Sequence, residues 1–138
     1  SKEVSHSIEL KPAMTFKTKV SAVKIVPAGT PISYGRTFVT NKKTVVATLP
    51  VGYADGYTRL LSNRGEVLLN GHRVPIIGTV CMDMCMVDAS SVENTQPGDE
   101  VILFGEGLHV DEIAAKIGTI NYEVVCNISK RVPRIYVQ

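Results

Sequence analysis

The dipeptide Asn70-Gly71, within EVLLNGHRVPII, constrains the fold of this chain more than any other short feature. Both residue types tolerate positive φ, which the two central positions of a type I′ turn require. Runs of apolar and polar residues flank the pair, as they do in strands that have one buried face. The sequence therefore predicts a tight antiparallel hairpin here, and a fold that contains at least one sheet.

Several other segments have the composition of strands. Thr15 to Val26 is predicted as a bent strand, because its apolar phase slips at Val23 in the way that a bulge would produce. A turn at Pro27 to Gly29 precedes a strand over Ile32 to Val39, and a turn at Asn41 to Lys43 predicts a hairpin between that strand and TVVATLPV. Three later strands are predicted in GTVCMDMCMVD, in QPGDEVILFG after a turn at its first four residues, and in RVPRIYV.

Helical spacing of apolar residues begins only after residue 110. Asp111 is predicted to cap a short helix over EIAAKI, with Gly118 as the residue that ends it. Thr119 is predicted to cap a second helix, which runs to about Ile128. We therefore predict one mainly β domain over residues 1–138, folded as a closed or nearly closed β-barrel with a few short helices as lids.

Charge and cysteine content argue against several classes of function. The net charge is only +2 and the basic residues are dispersed, so neither a nucleic acid nor a membrane surface is an expected partner. The cysteines Cys81, Cys85 and Cys126 form no Cys-x-x-Cys pair, which favours reduced thiols in the cytoplasm over a disulfide framework or a metal site. Since the chain begins with Ser1 rather than methionine, we expect it to be a piece of a longer protein.

The stretch VGYADGY, from Val51 to Tyr57, follows the strand-like run TVVATLP. A phosphate-binding loop would need more glycines leading into a helix, and Asp55 would repel a phosphate placed beside it. A strand that turns into a short helical stretch is the better interpretation. Tyr53 would then lie at the rim of the β domain, with its ring packed and its hydroxyl in water.

Tyr34, in PISYGR, follows a proline turn and precedes Gly35, whose lack of a side chain lets other backbone or a ligand approach closely. Most tyrosines in such positions are structural. A tyrosine can also transfer protons when a cation lies nearby, and Arg36 is close in sequence. The residues alone leave both interpretations open.

Asp83 interrupts an otherwise apolar strand, so it must face a polar site or have a partner. Cys81 and Cys85 on that strand are predicted to fill the core, because the sequence identifies no histidine partner for a nucleophile. Tyr122, at the start of a predicted helix, has a hydroxyl that meets either an anion or water.

Taken in order, four segments resemble the C-terminal domain of bacterial alanine racemase, and the likeness covers nearly the whole chain. They are KPAMTFKTKVSAVKIVPAGTPISYGRTFVT, TLPVGYADGYTRLL, GHRVPIIGTVCMDMCMVD and TINYEVVCNISKRVPRIY. The resemblance implies a homodimer that uses pyridoxal phosphate to interconvert L- and D-alanine, the latter for peptidoglycan. It further implies that an N-terminal (β/α)8 barrel, absent from this chain, holds the cofactor on a lysine. The β domain of the other subunit would complete the active site and would be inactive alone.

The resemblance assigns a role to each matching residue. Tyr34 matches the catalytic tyrosine, which exchanges the α-proton on one face of the substrate while the barrel lysine serves the other. Met82 matches the residue whose backbone N–H binds the substrate carboxylate. The other matches are Cys81 and Asp83 beside that contact, Tyr53, Arg59 and Ile120 along the substrate access route, and Tyr122 at the cofactor phosphate.

One position departs from the family pattern, since many relatives carry arginine where this chain has Thr79. The loss of that cation affects the access route or the setting of Tyr34, and alanine and serine both stay open as substrates. Two further hypotheses are a β-barrel binding module, for instance for oligonucleotides, and a domain that serves chiefly for dimerisation. The first would need basic and aromatic residues clustered on one strand face, and the sequence lacks them.

Overall fold

The computed structural model describes residues 12–137, which form a mainly β fold with two short α-helices. The strands are β1 (Phe16–Lys19), β2 (Ala22–Val26), β3 (Pro31–Ile32), β4 (Phe38–Val39), β5 (Thr44–Leu49), β6 (Glu66–Leu69), β7 (His72–Pro75), β8 (Cys85–Asp88) and β9 (Glu100–Phe104). The α-helices are α1 (Val110–Ile117) and α2 (Asn121–Cys126), and 3₁₀ turns lie at Tyr34–Arg36, Tyr53–Asp55 and Arg59–Leu61.

The strands are arranged in three antiparallel sheets. One has the order β1-β9-β6-β7, the second has the order β2-β5-β8, and β3 and β4 form a two-stranded ribbon. The two larger sheets share one core, to which β6 contributes Leu69, β9 contributes Leu103 and β5 contributes Leu49. A helix pair also covers this core, through Ile113 and Val124.

The described sheets are open, so the predicted closed or nearly closed barrel is wrong. Between β1 and β2 the chain changes sheets. The Val20 N–H donates to the carbonyl of Asp99, just before β9, while the Ser21 N–H donates to the carbonyl of Thr48 in β5. β7 and β8 are edge strands of the two larger sheets. Within the described residues, a single bridge between Ile76, next to β7, and Val87 in β8 links them. One bridge is not a continuous ladder, and only a continuous ladder removes both edges of a sheet.

The predicted Asn70-Gly71 hairpin is confirmed. Leu69 pairs with His72 across a two-residue loop, and Asn70 and Gly71 have φ angles of 49° and 79°. The turn at Gln96 to Asp99 before β9 is also as predicted, since the Asp99 N–H donates to the Gln96 carbonyl at 3.2 Å. In these places the local residue chemistry alone determines the backbone.

The predicted strand over Ile32 to Val39 is wrong, because the 3₁₀ turn at Tyr34–Arg36 interrupts it. Its second half, β4, pairs with β3 and not with β5, so the hairpin predicted at Asn41 to Lys43 is also wrong. The bend predicted within Thr15 to Val26 is present, as the break between β1 and β2.

Elsewhere, element ends differ from the predictions. The strand expected in GTVCMDMCMVD is limited to β8, and RVPRIYV forms no strand within the described residues. Helix α1 begins after His109 rather than after Asp111, because Glu112 accepts the His109 N–H in a capping box. Helix α2 begins after Ile120 rather than Thr119. Among residues 12–137, no helix has the length and apolar character needed to cross a membrane.

Candidate functional site

Tyr34 lies at the tip of the β3–β4 ribbon, in a turn of unusual backbone geometry. Ser33, Gly35 and Arg36 have φ angles of 63°, 74° and 50°. A non-glycine residue at positive φ carries strain, which a fold keeps only where surrounding contacts hold it. The side chain of Tyr34 is 76% exposed, so the strained backbone presents a phenol to the outside. We call residues 33–37 the Tyr34 turn.

Thr79 forms hydrogen bonds with the Tyr34 turn. The Ser33 hydroxyl donates to the Thr79 carbonyl at 2.7 Å, and the Thr79 hydroxyl donates to the Tyr34 carbonyl at 2.9 Å. Thr79 itself is only 5% exposed. Thr79 therefore contacts the backbone of the candidate catalytic tyrosine.

Met82 lies in a second exposed turn, Cys81–Met84, which we call the Met82 turn. The Cys81 N–H donates to the Met84 carbonyl at 2.8 Å, and Met82 and Asp83 form the tip. Within the described residues, the backbone N–H of Met82 donates to no protein acceptor. The Cys81 sulfur lies 3.4 Å from the Ser33 hydroxyl, so the two turns are in direct contact.

The stretch VGYADGY, residues 51–57, is a corner that packs against the Met82 turn. The Tyr53 N–H donates to the Cys81 carbonyl and the Ala54 N–H donates to the Met82 carbonyl, both at 3.0 Å. A Cβ atom on Gly52 would fall far inside van der Waals contact with both carbonyl oxygens. As predicted, a strand turns into a short helical stretch here, and these two N–H groups are paired with protein carbonyls rather than free for a phosphate. The Tyr53 side chain is exposed beside the Met82 turn.

Asp83 does have a partner, and it is Arg131. The Arg131 guanidinium donates to an Asp83 carboxylate oxygen at 2.6 Å and contacts a carboxylate oxygen of Asp55 at 2.9 Å. Asp55 is buried and also accepts the Gly52 N–H at 2.9 Å. One arginine thus links the Met82 turn to the corner, and its hydrogen bond to Asp83, with the negative charges of Asp55 and Asp83, raises the pKa of the guanidinium.

The other predicted site residues lie further away. Arg59 is exposed and starts the 3₁₀ turn that follows the corner. Ile120 and Tyr122 are exposed at the start of α2, whereas the Ser129 N–H, just beyond α2, donates to the Asp55 carbonyl at 3.0 Å. In residues 12–137, no hydrogen bond joins Ile120 or Tyr122 to the Tyr34 turn or to the Met82 turn.

Cys81 and Cys85 are buried, as predicted, whereas Cys126 is exposed. Cys85 is fully buried, and burial, with a smaller effect of nearby Cys81, raises the pKa of its thiol to about 12. A thiol that stays protonated at neutral pH is a poor nucleophile. Over the described part of the chain, no group of three or more histidine, cysteine, aspartate or glutamate residues could hold a metal ion.

Ser62 and Asn63 fix the backbone on both sides of Thr79, a role that the sequence did not predict. The Asn63 side-chain oxygen accepts the Gly78 N–H at 2.6 Å, and its amide donates to the Thr37 hydroxyl at 3.1 Å. The Ser62 hydroxyl accepts the Val80 N–H at 2.9 Å. A Ser-Asn pair is common in loops, so the sequence signal pointed to a turn and not to its distant partners.

Comparison with known proteins gives a consistent result for the chain as a whole. The family model described as "Alanine racemase, C-terminal domain" matches residues 13–136. The alanine racemase of Desulfovibrio desulfuricans is 54% identical over 100% of this chain, which corresponds to 38% of that protein.

Two solved structures have closely similar folds. The alanine racemase of Clostridium difficile 630, in complex with cycloserine, has a TM-score of 0.91 and 46% identity over 96% of this chain and 36% of that one. The alanine racemase of Bartonella henselae, with covalently bound pyridoxal phosphate, has a TM-score of 0.92 and 36% identity over 96% of this chain and 37% of that one. The present chain thus spans a little over a third of the proteins that it matches.

Proposed function

Because this chain belongs to the alanine racemase family, as its C-terminal domain, we propose that it completes the active site of an alanine racemase that uses pyridoxal phosphate. The observation that carries the proposal is that three exposed residues lie on segments in direct contact with one another: Tyr34, Met82, whose N–H has no protein acceptor within residues 12–137, and Tyr53. An oligonucleotide-binding module is not favoured by this family membership.

Tyr34 is proposed to exchange the α-proton on one face of the amino acid. Inverting a chiral centre requires proton transfer on both faces, because a single base that returned its own proton would restore the starting hand. The second base, a lysine of the barrel domain that we propose for the full-length protein, would work on the other face. The high exposure of Tyr34 is what allows its hydroxyl to reach a substrate held by another domain.

The Met82 turn is proposed to bind the substrate carboxylate. A free backbone N–H at an exposed tip can donate to a carboxylate oxygen without breaking a protein hydrogen bond. Cys81 and Asp83 flank this contact, and Asp83 is neutralised by Arg131, which reduces its repulsion of a second carboxylate. Tyr53, Arg59 and Ile120 are proposed to line the access route.

The described residues fit a role beside the cofactor rather than a role as its main holder. Tyr122 is 62% exposed at the start of α2, so its hydroxyl is available to a phosphate oxygen. When bound, pyridoxal phosphate delocalises the electron pair left on the α-carbon after the proton is removed. We propose that the barrel domain supplies the remaining contacts.

Exposed large side chains support a protein partner. Large apolar or aromatic side chains that remain exposed on a domain are typical of surfaces that bind another protein. The exposed residues of this kind include Tyr34, Tyr53, Met82, Ile120 and Tyr122. We propose that they face the barrel domain of a second subunit in a homodimer, and that the isolated domain is inactive.

L- and D-alanine are the proposed substrates, with serine as the alternative, since the two amino acids differ by one hydroxyl. The product D-alanine would feed peptidoglycan synthesis. The three free cysteines support a reducing compartment, and we propose the cytoplasm.

The test compares the full-length protein with its Tyr34→Phe variant, in the presence of pyridoxal phosphate, on L-alanine and L-serine. Loss of a proton-transfer group should lower kcat by about 100-fold or more, while cofactor absorbance is retained. Tyr136→Phe, which removes a hydroxyl from a side chain that is 93% exposed, is the matched control and should keep full activity.

Equal activity of Tyr34→Phe and wild type would remove Tyr34 from the mechanism. Absence of racemisation of both amino acids by the wild-type protein would overturn the proposed function. Faster turnover of serine than of alanine would keep the reaction class and replace the substrate.

A further inference from the structure

We propose that Thr79 is a positioning residue for Tyr34, and that its hydroxyl and its carbonyl together set the orientation of the Tyr34 turn. This inference rests on the proposed function for its catalytic consequence, but its structural part stands on the contacts alone. It assigns a specific role to the residue at which this chain departs from the family pattern.

The Tyr34 turn needs an external restraint. Ser33 and Arg36 both adopt positive φ, which costs energy for residues with a Cβ, and the β3–β4 ribbon on which they lie has only two residues in each strand. A ribbon of that size is marginal by itself. The orientation of the turn must therefore come from contacts outside the ribbon.

Thr79 makes such contacts with Tyr34 and with both ends of the turn. Its hydroxyl donates to the carbonyl of Tyr34 itself at 2.9 Å, and its carbonyl accepts the Ser33 hydroxyl at 2.7 Å. The Thr79 hydroxyl also lies 3.4 Å from that of Thr37, at the far end of the turn. One buried residue thus contacts the turn at its start, middle and end.

The segment that carries Thr79 is itself fixed. Asn63 and Ser62 pair with the N–H groups of Gly78 and Val80, on both sides of Thr79. Gly78 packs so closely on the ribbon that a Cβ there would lie 2.7 Å from the Cβ of Ser33. A fixed backbone segment at Thr79 and a short hydrogen bond from it together can determine the orientation of the Tyr34 phenol.

The experiment replaces Thr79 in the full-length protein by valine, which keeps the shape and removes the hydroxyl, and by serine, which keeps the hydroxyl. Misplacement of a catalytic group by a fraction of an ångström lowers turnover, so Thr79→Val should lower kcat roughly tenfold with KM within about twofold of wild type. Thr79→Ser should keep most of the activity.

Thr44→Val is the matched control, because Thr44 is also buried and donates to a backbone carbonyl at 2.9 Å, that of Lys42. It removes a similar hydrogen bond away from the site and should leave kcat unchanged.

Hydrogen exchange of the peptide covering residues 31–38 provides a readout that does not depend on activity. Thr79→Val should exchange faster there than wild type, and Thr79→Ser and Thr44→Val should not. The exchange measurement can be interpreted even if the wild-type protein proves not to be a racemase. Failure of the proposed function and failure of this inference are therefore distinguishable.

The inference is overturned if Thr79→Val keeps both the wild-type kcat and the wild-type exchange, or if Thr79→Ser loses as much as Thr79→Val. If Thr79→Val does not fold, Ser33→Ala removes the second contact from the more exposed side. It should then give the same direction of change in kcat and exchange, and an unchanged Ser33→Ala would also overturn the proposal.

Discussion

The β6–β7 hairpin and the Tyr34 turn both require positive φ, but they are stabilised in different ways. The hairpin turn contains Asn70 and Gly71, residue types that adopt this backbone readily, and a regular ladder continues from it. The Tyr34 turn places Ser33 and Arg36 in such a conformation, and contacts with Thr79, far along the chain, hold it. A turn of the first kind is encoded locally, whereas a turn of the second kind depends on the rest of the fold.

The largest expected effect is on the corner, where Gly52→Ala should destabilise the protein. Gly52 has an extended φ of −152°, which alanine adopts without strain, so the whole effect would come from the clash with the carbonyls of Cys81 and Met82. Because backbone atoms cannot give way as a flexible side chain can, we expect a loss of about 3 kcal/mol or more. Urea denaturation would measure it.

Gly71→Ala at the hairpin is the matched control. There a Cβ meets nothing within 4 Å, and only the φ of 79° opposes alanine, at a cost of about 1 kcal/mol. If Gly52→Ala and Gly71→Ala lowered the free energy of unfolding equally, the clash with the Met82 turn would not explain the need for glycine at position 52.

A change of opposite sign is expected at Tyr57, the last residue of the corner. Tyr57 is 2% exposed, and within the described residues its hydroxyl has no hydrogen-bond partner. Burial accordingly raises the pKa of this phenol well above its usual value. Tyr57→Phe keeps the edge-on contact with Phe16 and removes the unpaired group, so stability should rise by about 1 kcal/mol. A fall in melting temperature would show that the hydroxyl has a partner after all.

The smallest expected effect is on the outer face of the molecule, at Glu112. The Arg73 guanidinium, with a further bond from the His109 N–H, lowers the pKa of this carboxyl from 4.5 to about 2. Because the pKa of Glu112 is lower in the folded state than in the unfolded state, the carboxylate stabilises the folded protein when the pH is above the unfolded-state pKa. That contribution disappears as pH falls from about 4.5 to about 2. Since the pair is partly exposed, Glu112→Gln should cost less than about 1 kcal/mol at pH 7.

The pH dependence is the sharper measurement for this pair. Wild type and Glu112→Gln should differ in melting temperature at pH 7 and converge near pH 2. A difference that stayed constant over this range would mean that charge is not the cause.

The sequence predicts much of this fold where the determinants are local. The Asn70-Gly71 turn, the turn before β9 and the helix end at Gly118, whose φ is 76°, all follow from the conformations that their residue types prefer. Closure of the sheets could not be predicted in this way, because it depends on whether β7 and β8 pair over more than the one bridge at Ile76.

Residue chemistry alone predicted little of the structure around the candidate site. The sequence required a polar site or a partner for Asp83, but nothing in it indicates that the partner is Arg131. For Tyr34 the residues alone favoured a structural role and left a catalytic one open, and a long strand was predicted across its turn. In both places the backbone follows contacts between segments that are remote in sequence, and these are not visible in a local pattern.

The bridge that Arg131 makes has a consequence for the order in which the molecule is assembled. Asp83 and Arg131 are 48 residues apart in the chain. At a synthesis rate of about 5–20 residues per second, the arginine is added roughly 2–10 s after the aspartate. The bridge that Arg131 makes to Asp83 and Asp55 therefore cannot form until nearly the whole domain has been synthesised. Joining the Met82 turn to the corner is accordingly a late step in the assembly of the molecule.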